Sequence, residues 1–146
     1  MSSARFTVRA AVYLILLKGD HVLLSRRYQT GWMDGKYSLI SGHIDGNESV
    51  SSSMIREAEE EAGIIISKND LHPATVVHRL SPDQEYMDFF FVAQKWSGEA
   101  VIKEKDKCDD LSWFPLNNLP NNILPHVADA IKNYQYKVPF FESGWK

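Results

Sequence analysis

The sequence lacks several features, and each absence excludes a class of protein. Cys108 is the only cysteine among 146 residues, which rules out an intrachain disulfide and a cysteine-rich zinc site. The apolar runs are too short to span a bilayer, and the one near the N-terminus lacks a signal-peptide cleavage site. A formal net charge of −3 without a basic run argues against nucleic acid as the main partner. We therefore expect a cytoplasmic protein with neither a membrane nor nucleic acid as partner.

The remaining composition is that of one ordinary globular domain. Hydrophobic residues make up 44% of the chain and charged residues 24%. Neither a repeat nor a linker interrupts it, so residues 1–146 are predicted to form a single domain. Strand patterns precede and follow one central helix, and a second helix comes late, at 125–133 with Pro125 in its first position. Such an order predicts an α/β fold with a mixed sheet between helices. The strand patterns cover residues 6–17, 21–25, 37–40, 74–80, 85–96 and 111–114.

The central helix carries the strongest functional signal. We expect it to begin at Asn47 or Ser49, whose side chains can cap a first turn, and to end at Gly63. At 100° per residue, Glu61 falls about 40° to one side of Glu57 and Glu60 about 60° to the other. The neighbouring face, which we expect to lie on the sheet, holds Ser51, Ile55, Ala58 and Ala62.

The three glutamates would repel one another without a counter-ion. Like charges at these spacings cost roughly 0.2–0.5 kcal/mol per pair even when exposed. A hard divalent cation with oxygen ligands reverses that sign, and Mg²⁺ suits carboxylates together with substrate phosphates. A solvated acidic helix face is the alternative interpretation of three glutamates alone.

The surrounding residues favour the metal. Residues 42–64 resemble the box of the Nudix hydrolases, G-x5-E-x7-R-E-U-x-E-E-x-G-U, where U is aliphatic. The positions in register are Gly42, Glu48, Arg56, Glu57, Glu60, Glu61, Gly63 and Ile64, with Ala58 at the first U. Upstream, the chain has Leu39 to Gly42 where many members have Leu-Pro-Gly-Gly. Asn47 stands where a glycine is usual, and we expect it to take a positive φ.

This resemblance implies an α/β/α sandwich with a mixed central β-sheet and a Mg²⁺-dependent hydrolase, with Mn²⁺ as a substitute. It implies a metal site made by the carbonyl of Gly42 and by Glu57, Glu60 and Glu61. A loop glutamate after the longest strand, here Glu104, is implied as a further ligand. Arg56 is expected to orient a box glutamate through an ion pair.

The general base and the role of Glu48 stay open at this point. Glu57 resembles the base of MutT-like members, whereas other branches take it from a loop, where Glu104, Asp106 or Asp109 could serve. Glu48 is expected to be structural, because it lies near the positive end of the helix.

Four residues are predicted to contact the substrate. Arg27 resembles a basic residue that MutT-like enzymes point at phosphate or sugar, while Arg26 should face away by strand alternation. Trp32 and Tyr86 could stack on a base, as could Phe90 and Trp113, although aromatic residues in strands are more often core. His126 falls where related enzymes contact the base.

The leading hypothesis is cleavage of the diphosphate linkage of a small nucleotide, converting a nucleoside or deoxynucleoside triphosphate to the monophosphate and pyrophosphate. One alternative is hydrolysis of ADP-ribose, a nucleotide sugar or another nucleoside diphosphate derivative. A second is a non-catalytic nucleotide-sensing domain, although no box acid is lost. The apolar tail, with Phe140, Phe141 and Trp145, is expected to pack on the body or to form a homodimer.

Overall fold

The computed structural model describes residues 4–146, which form a mixed sheet with helices on both of its faces. A short 3-10 turn at Lys68–Asp70 follows the first helix. The strands and helices are β1 (Arg9–Lys18), β2 (His21–Arg27), β3 (Tyr37–Ser38), β4 (Ile40–His43), α1 (Val50–Ala62), β5 (His72–Leu80), β6 (Glu85–Ala93), β7 (Cys108–Pro115), α2 (Pro125–Gln135) and β8 (Phe140–Ser143).

The sheet divides into two parts that diverge from β1. In the larger part β4, β1, β6, β5 and β8 lie side by side, with β1 parallel to β6 and β5 parallel to β8. In the smaller part β2 lies antiparallel between β3 and β7. The two parts join where Leu17 pairs with Val22 and Lys18 with His21. Beyond that junction β1 pairs with β4 instead of β2, so a cleft opens between the two parts.

Strand β1 is buried on both faces, as its nearly continuous apolar sequence predicts. Tyr13, Ile15 and Leu17 pack in the cluster that contains α2, whereas Leu14 and Leu16 pack in the cluster that contains α1. The α/β/α sandwich with a mixed sheet is therefore confirmed.

The caps of α1 agree with the sequence. Ser49 accepts a hydrogen bond from the Ser52 N–H, and Gly63 takes the left-handed conformation at φ 68°. Asn47 has φ 59°, as expected for a residue that replaces glycine. The predicted sheet face was partly wrong, because Ser51 and Ile55 are only half-buried. The residues that meet the core are Ser53, Met54, Ala58 and Ala62.

The C-terminal half differs more from expectation. Helix α2 continues to Gln135, two residues beyond the predicted end, and buries His126, Val127, Ala130 and Ile131. The apolar tail forms the strand β8, which the sequence did not predict. Phe141 packs against the α2 cluster, and the Trp145 ring lies against His78 with centroids 4.7 Å apart. Within residues 4–146, no helix has the length and apolar character to cross a membrane.

Candidate active site

The cleft between the two parts of the sheet has a volume of about 810 Å³. Strands from both parts line it, together with α1, the 28–36 loop and the loop before β7. Nearly all the predicted site residues lie in its wall: Arg27, Trp32, Gly42, Arg56, Glu57, Glu60, Glu61, Tyr86 and Glu104. The structure thus brings together residues from six separate segments of the chain.

Arg56 pairs with several carboxylates at the part of the cleft that carries Glu57, Glu60 and Glu61, the acidic wall. Its Nε and Nη2 donate to the two carboxylate oxygens of Glu48 at 3.1 and 2.6 Å. Its Nη1 donates to Glu60 at 3.1 Å and lies 3.5 Å from Glu57. The hydrogen bonds from Arg56 hold the pKa of Glu48 below its ordinary value. Both carboxylate oxygens of Glu48 thus bond to Arg56, and Arg56 also lies close enough to Glu57 and Glu60 to orient them.

Glu57 lies directly over the backbone of Gly42. A Cβ added at Gly42 would stand 1.3 Å from Glu57 Oε2, so only glycine leaves room for this carboxylate. Burial raises the pKa of Glu57 to about 7, although the charge of Arg56 opposes that rise. The nearby charges of Glu60 and Glu104 raise it further. Glu57 and the Gly42 backbone therefore form a close-fitting acidic cradle.

Glu61 is the most deeply placed of the three glutamates. Its carboxylate accepts the Ser41 N–H at 3.4 Å. Burial raises the pKa of Glu61 to about 8, and the negative charges of Glu57 and Glu104 add to the effect. Neighbouring negative charges thus disfavour ionisation of Glu57 and of Glu61, which is the electrostatic condition that a bound divalent cation relieves.

The donor set fits a hard divalent cation by its chemistry, since the wall offers carboxylate and carbonyl oxygens. Across residues 4–146, however, no three acidic, histidine or cysteine groups converge closely enough to form a ready coordination sphere. The side chain of Glu60 is 53% exposed and is paired with Arg56. The ligand set of Gly42, Glu57, Glu60, Glu61 and Glu104 stays a prediction.

The positions of the acidic residues in the loop before β7 and at the start of β7 distinguish the candidates for the general base. Glu104 lines the cleft, and its backbone carbonyl accepts the N–H groups of Lys107 and Cys108. Asp106 is not part of the cleft wall, and Asp109 forms an ion pair with Arg26 at 2.7 Å. The geometry therefore leaves Glu57 and Glu104 as candidates.

The 28–36 loop is folded around Arg27. The Arg27 Nε donates to the Trp32 carbonyl at 2.7 Å, and Nη2 donates to Thr30 Oγ1 at 2.9 Å. Its guanidinium also lies 4.9 Å from the centre of the Trp32 ring. Asp34 ties the same loop by accepting the Thr30 N–H. Arg27 therefore positions Trp32 in the cleft wall, in addition to any contact of its own with a substrate.

A second arginine in the wall was not foreseen. Arg79, from β5, lies 4.2 Å from the centre of the Tyr86 ring and forms an ion pair with Asp88 at 2.6 Å. A signal for it existed in the sequence. Asp88 interrupts the apolar face of a strand rich in phenylalanine, and a buried carboxylate needs a partner.

His126 is not in the cleft wall. It lies in α2, is 6% exposed, and its Nε2 is 3.2 Å from the Tyr13 hydroxyl. Burial lowers the pKa of His126 to about 3, and the charge of Arg79 lowers it in the same direction. The predicted base contact by His126 therefore has no support in this geometry. Phe90 and Trp113 likewise pack with other aromatic rings of the protein, Tyr13 and Trp96.

Known proteins resemble this chain over most of its length. The family model described as the NUDIX domain matches residues 7–136. The chain is 31% identical over 130 residues to the uncharacterized Nudix hydrolase YvcI of Bacillus subtilis, covering 83% of this chain and 77% of YvcI. It is 28% identical over 124 residues to the NAD-capped RNA hydrolase NudC of Pseudomonas aeruginosa, covering 82% of this chain and 42% of NudC. The chain thus spans about two fifths of the length of NudC.

Two solved structures are similar throughout most of the chain. A MutT NUDIX hydrolase from Burkholderia pseudomallei superposes with a TM-score of 0.80 at 25% identity, covering 86% of this chain and 97% of that one. An ADP compounds hydrolase gives a TM-score of 0.71 at 25% identity, covering 92% and 75%. These TM-scores show that both proteins share the fold of this chain.

Proposed function

The chain belongs to the Nudix family of hydrolases, and we propose that it is a Mg²⁺-dependent pyrophosphohydrolase that converts a nucleoside or deoxynucleoside triphosphate to the monophosphate and pyrophosphate. The family match confirms the expectation of a Nudix-type hydrolase. The similarity to an ADP compounds hydrolase and to part of NudC supports a nucleotide derivative as the substrate. These findings do not select the substrate within that class. The choice of triphosphate is the proposal.

One observation carries the proposal: Glu57, Glu61 and Glu104 line the same cleft, within electrostatic reach of one another. A diphosphate repels an approaching nucleophile, so cleavage requires neutralised charge, an aligned water and removal of its proton. Mg²⁺, when bound, supplies that neutralisation and polarises the phosphate oxygens. Crowded carboxylates beside a space for the nucleotide are the arrangement that this chemistry needs.

The residues of the chain would then act in distinct roles. Gly42, Glu57, Glu60, Glu61 and Glu104 would hold the metal, and Mn²⁺ is an acceptable substitute. Arg56 would orient the box glutamates, as its hydrogen bonds to Glu48 and Glu60 support. Either Glu57 or Glu104 would take the proton from water. Trp32 and Tyr86 would contact the nucleoside, with Arg27 placing the Trp32 loop.

Hydrolysis of ADP-ribose or another nucleoside diphosphate derivative is the second candidate. The similarity to an ADP compounds hydrolase over 92% of this chain and to the Nudix domain region of NudC favours it. A homodimer through the exposed part of the tail also belongs to the proposal. Light scattering after size separation tests the dimer, and a monomer mass would contradict it.

The test of function is a substrate panel with product identification. The purified chain is incubated with Mg²⁺ and one of the four ribonucleoside triphosphates, the four deoxynucleoside triphosphates, ADP-ribose or NAD, and products are separated by ion-exchange chromatography. We expect monophosphate and pyrophosphate from at least one triphosphate, with higher kcat/KM than for ADP-ribose or NAD. Preferred cleavage of ADP-ribose would establish the second candidate instead, and no turnover with any compound would contradict both.

A further inference from the structure

Arg79 is a buried cation whose guanidinium has one edge without a hydrogen bond to the described residues. Its Nε and Nη2 donate to the two oxygens of Asp88 at 2.6 and 3.3 Å, and Asp88 itself is fully buried. Only 8% of Arg79 is exposed, and it lines the cleft. Among the described residues, its Nη1 has no protein acceptor. The end of the guanidinium that carries Nη1 and the outer hydrogen of Nη2 is therefore available to a ligand.

Aromatic rings fix this guanidinium in its plane. The centre of the guanidinium lies 4.2 Å from the ring of Tyr86 and 6.0 Å from that of Trp32. Together with the two-point contact to Asp88, these rings restrict rotation of the side chain. The free edge is thus a pre-oriented pair of N–H donors, which keeps the entropic cost of using it low.

The net charge of the Arg79–Asp88 pair determines which kind of ligand group the free edge can bind. Arginine offers donors only, so its partner must be an acceptor. Asp88 pairs with Arg79 at 2.6 Å and offsets part of its charge, so an anion at the free edge would be attracted less strongly than by an unpaired arginine. A neutral group with two adjacent acceptors is the better match for a neutral ion pair with two parallel N–H bonds.

The position across the sheet places this edge at the far end of the substrate. Across the sheet, Gly42 on β4 pairs with Val12 on β1, and Val12 pairs in turn with Phe89 on β6. Strand β5, which carries Arg79, lies on the other side of β6. Three strand spacings separate β4 from β5, or roughly 14 Å. Arg79 pairs with Tyr86, which lies three residues, or roughly 10 Å, along β6 from Phe89, so the Cα atoms of Gly42 and Arg79 are roughly 17 Å apart. A nucleotide whose diphosphate lies at the Gly42 wall would therefore reach Arg79 with its base.

We propose that Arg79, oriented by Asp88 and Tyr86, is a specificity-determining residue that donates two hydrogen bonds to O6 and N7 of a 6-oxopurine. Adenine offers N7 but has a donor at the adjacent position, whereas guanine and hypoxanthine present acceptors at both. This inference rests on the proposed function for its account of where the diphosphate lies. It adds the class of base that the site selects.

The experiment compares GTP, ITP, ATP and 7-deaza-GTP with the full chain and Mg²⁺. We expect kcat/KM for GTP and ITP to exceed that for ATP by about tenfold or more, because a bidentate pair gives discrimination of that size. Removal of the N7 acceptor in 7-deaza-GTP is expected to lower kcat/KM about fivefold or more, without any change in the protein. Equal kcat/KM for GTP and ATP, or for GTP and 7-deaza-GTP, would overturn the inference.

Two variants locate the effect on the protein. Arg79→Gln is combined with Asp88→Asn so that no buried charge is left unpaired, and we expect the GTP-to-ATP ratio to fall towards one. Arg26→Gln is the matched control, since Arg26 pairs with Asp109 outside the cleft wall, and its ratio should equal that of the unchanged protein. A base preference that survives the double substitution would contradict the role of Arg79. A nucleotide that carries an additional 3′-phosphate is compared with the same nucleotide without it. If the added phosphate raises kcat/KM in the unchanged protein but not in the double variant, Arg79 binds an anion, and the inference is overturned.

Binding separates this inference from the proposed function. Calorimetric titration with GMP and AMP in the presence of Mg²⁺ needs no turnover. If no triphosphate is hydrolysed but GMP binds about tenfold more tightly than AMP, only the proposed reaction fails. If GTP is hydrolysed and GMP and AMP bind equally, only the inference fails.

Discussion

Arg56 donates two hydrogen bonds to Glu48, with donor–acceptor distances of 3.1 and 2.6 Å. These bonds connect the residues just before α1 to its second turn. The two residues lie eight positions apart, so the helix pitch alone would not bring them together. The same guanidinium donates to Glu60 at 3.1 Å. Planar, two-point donation is a property of arginine that lysine does not share.

Substitution Arg56→Lys is therefore expected to lower activity although it keeps the charge. Loss of the second hydrogen bond frees Glu48 and lets the box glutamates move, and residues that orient metal ligands typically contribute 10–100-fold in affinity or rate. We expect kcat/KM to fall by about 10–100-fold and the Mg²⁺ concentration for half-maximal rate to rise. Arg26→Lys, which alters an arginine–carboxylate pair outside the cleft wall, serves as control. An unchanged Mg²⁺ dependence in Arg56→Lys would mean that Arg56 does not orient the metal site.

Gly42→Ala tests the contact between the β4 backbone and Glu57. The new Cβ would stand 1.3 Å from Glu57 Oε2 and so must displace the carboxylate, which is the far end of a flexible side chain. A displacement of this size near the reacting atoms can cost about 100-fold in rate. We expect kcat/KM to fall by about 100-fold or more while the free energy of unfolding changes little.

Gly19→Ala gives the reverse outcome and is the matched control. Gly19 turns the chain between β1 and β2 at φ 62°, and no atom lies within 4 Å of an added Cβ. The left-handed conformation is expected to cost about 1–2 kcal/mol of stability. Activity at a temperature where the variant is folded should be normal. Full activity in Gly42→Ala would remove the support for a close cradle at Glu57.

His126 predicts a pH dependence of stability. Its pKa lies near 3 in the folded protein against 6.5 for an ordinary histidine, because burial and Arg79 disfavour the charged ring. Below pH 6.5 the unfolded chain therefore binds a proton that the folded protein does not, and stability falls as the pH falls towards 3. Between pH 7 and 5 this contribution is about 2 kcal/mol.

Urea unfolding at the two pH values, in the unchanged protein and in His126→Gln, isolates this contribution. Glutamine can still bond to the Tyr13 hydroxyl but does not titrate. The loss of stability between pH 7 and 5 should be about 2 kcal/mol greater in the unchanged protein than in the variant. Equal losses in both proteins would show that His126 is not held neutral by the fold.

The sequence predicted the caps and the charged stripe of α1 because these are local. Ser49, Gly63 and the spacing of the glutamates follow from helix geometry and from the chemistry of helix ends. A helical wheel does not say which sector meets the sheet, so Met54 was missed, and Ile55 packs only at the margin of the core. The packing of the whole sheet decides that rotation, and spacing within one helix does not contain it.

The parts of the site that were not foreseen depend on contacts between distant segments. Arg79 and Asp88 meet because β5 and β6 pair in one particular register. A one-residue slip would turn each side chain to the other face, so the contact depends on the exact pairing of the two strands and not on either pattern alone. Strand β8 was missed because its four residues pair in parallel with β5, more than sixty positions away. His126 was misplaced for a related reason, since the face of α2 that turns inward is set by Tyr13 and the core around it.

Calorimetric titration of Mg²⁺ into the protein, with and without a non-hydrolysable nucleoside triphosphate analogue, tests the acidic wall most directly. The account predicts that the unchanged protein takes up the cation and that Glu57→Gln weakens its affinity about tenfold or more. Glu59→Gln is the control, because Glu59 is an exposed residue of α1 outside the cleft wall, and it should bind as the unchanged protein does. Absence of Mg²⁺ uptake by the unchanged protein under either condition, or equal uptake by Glu57→Gln, would contradict the account.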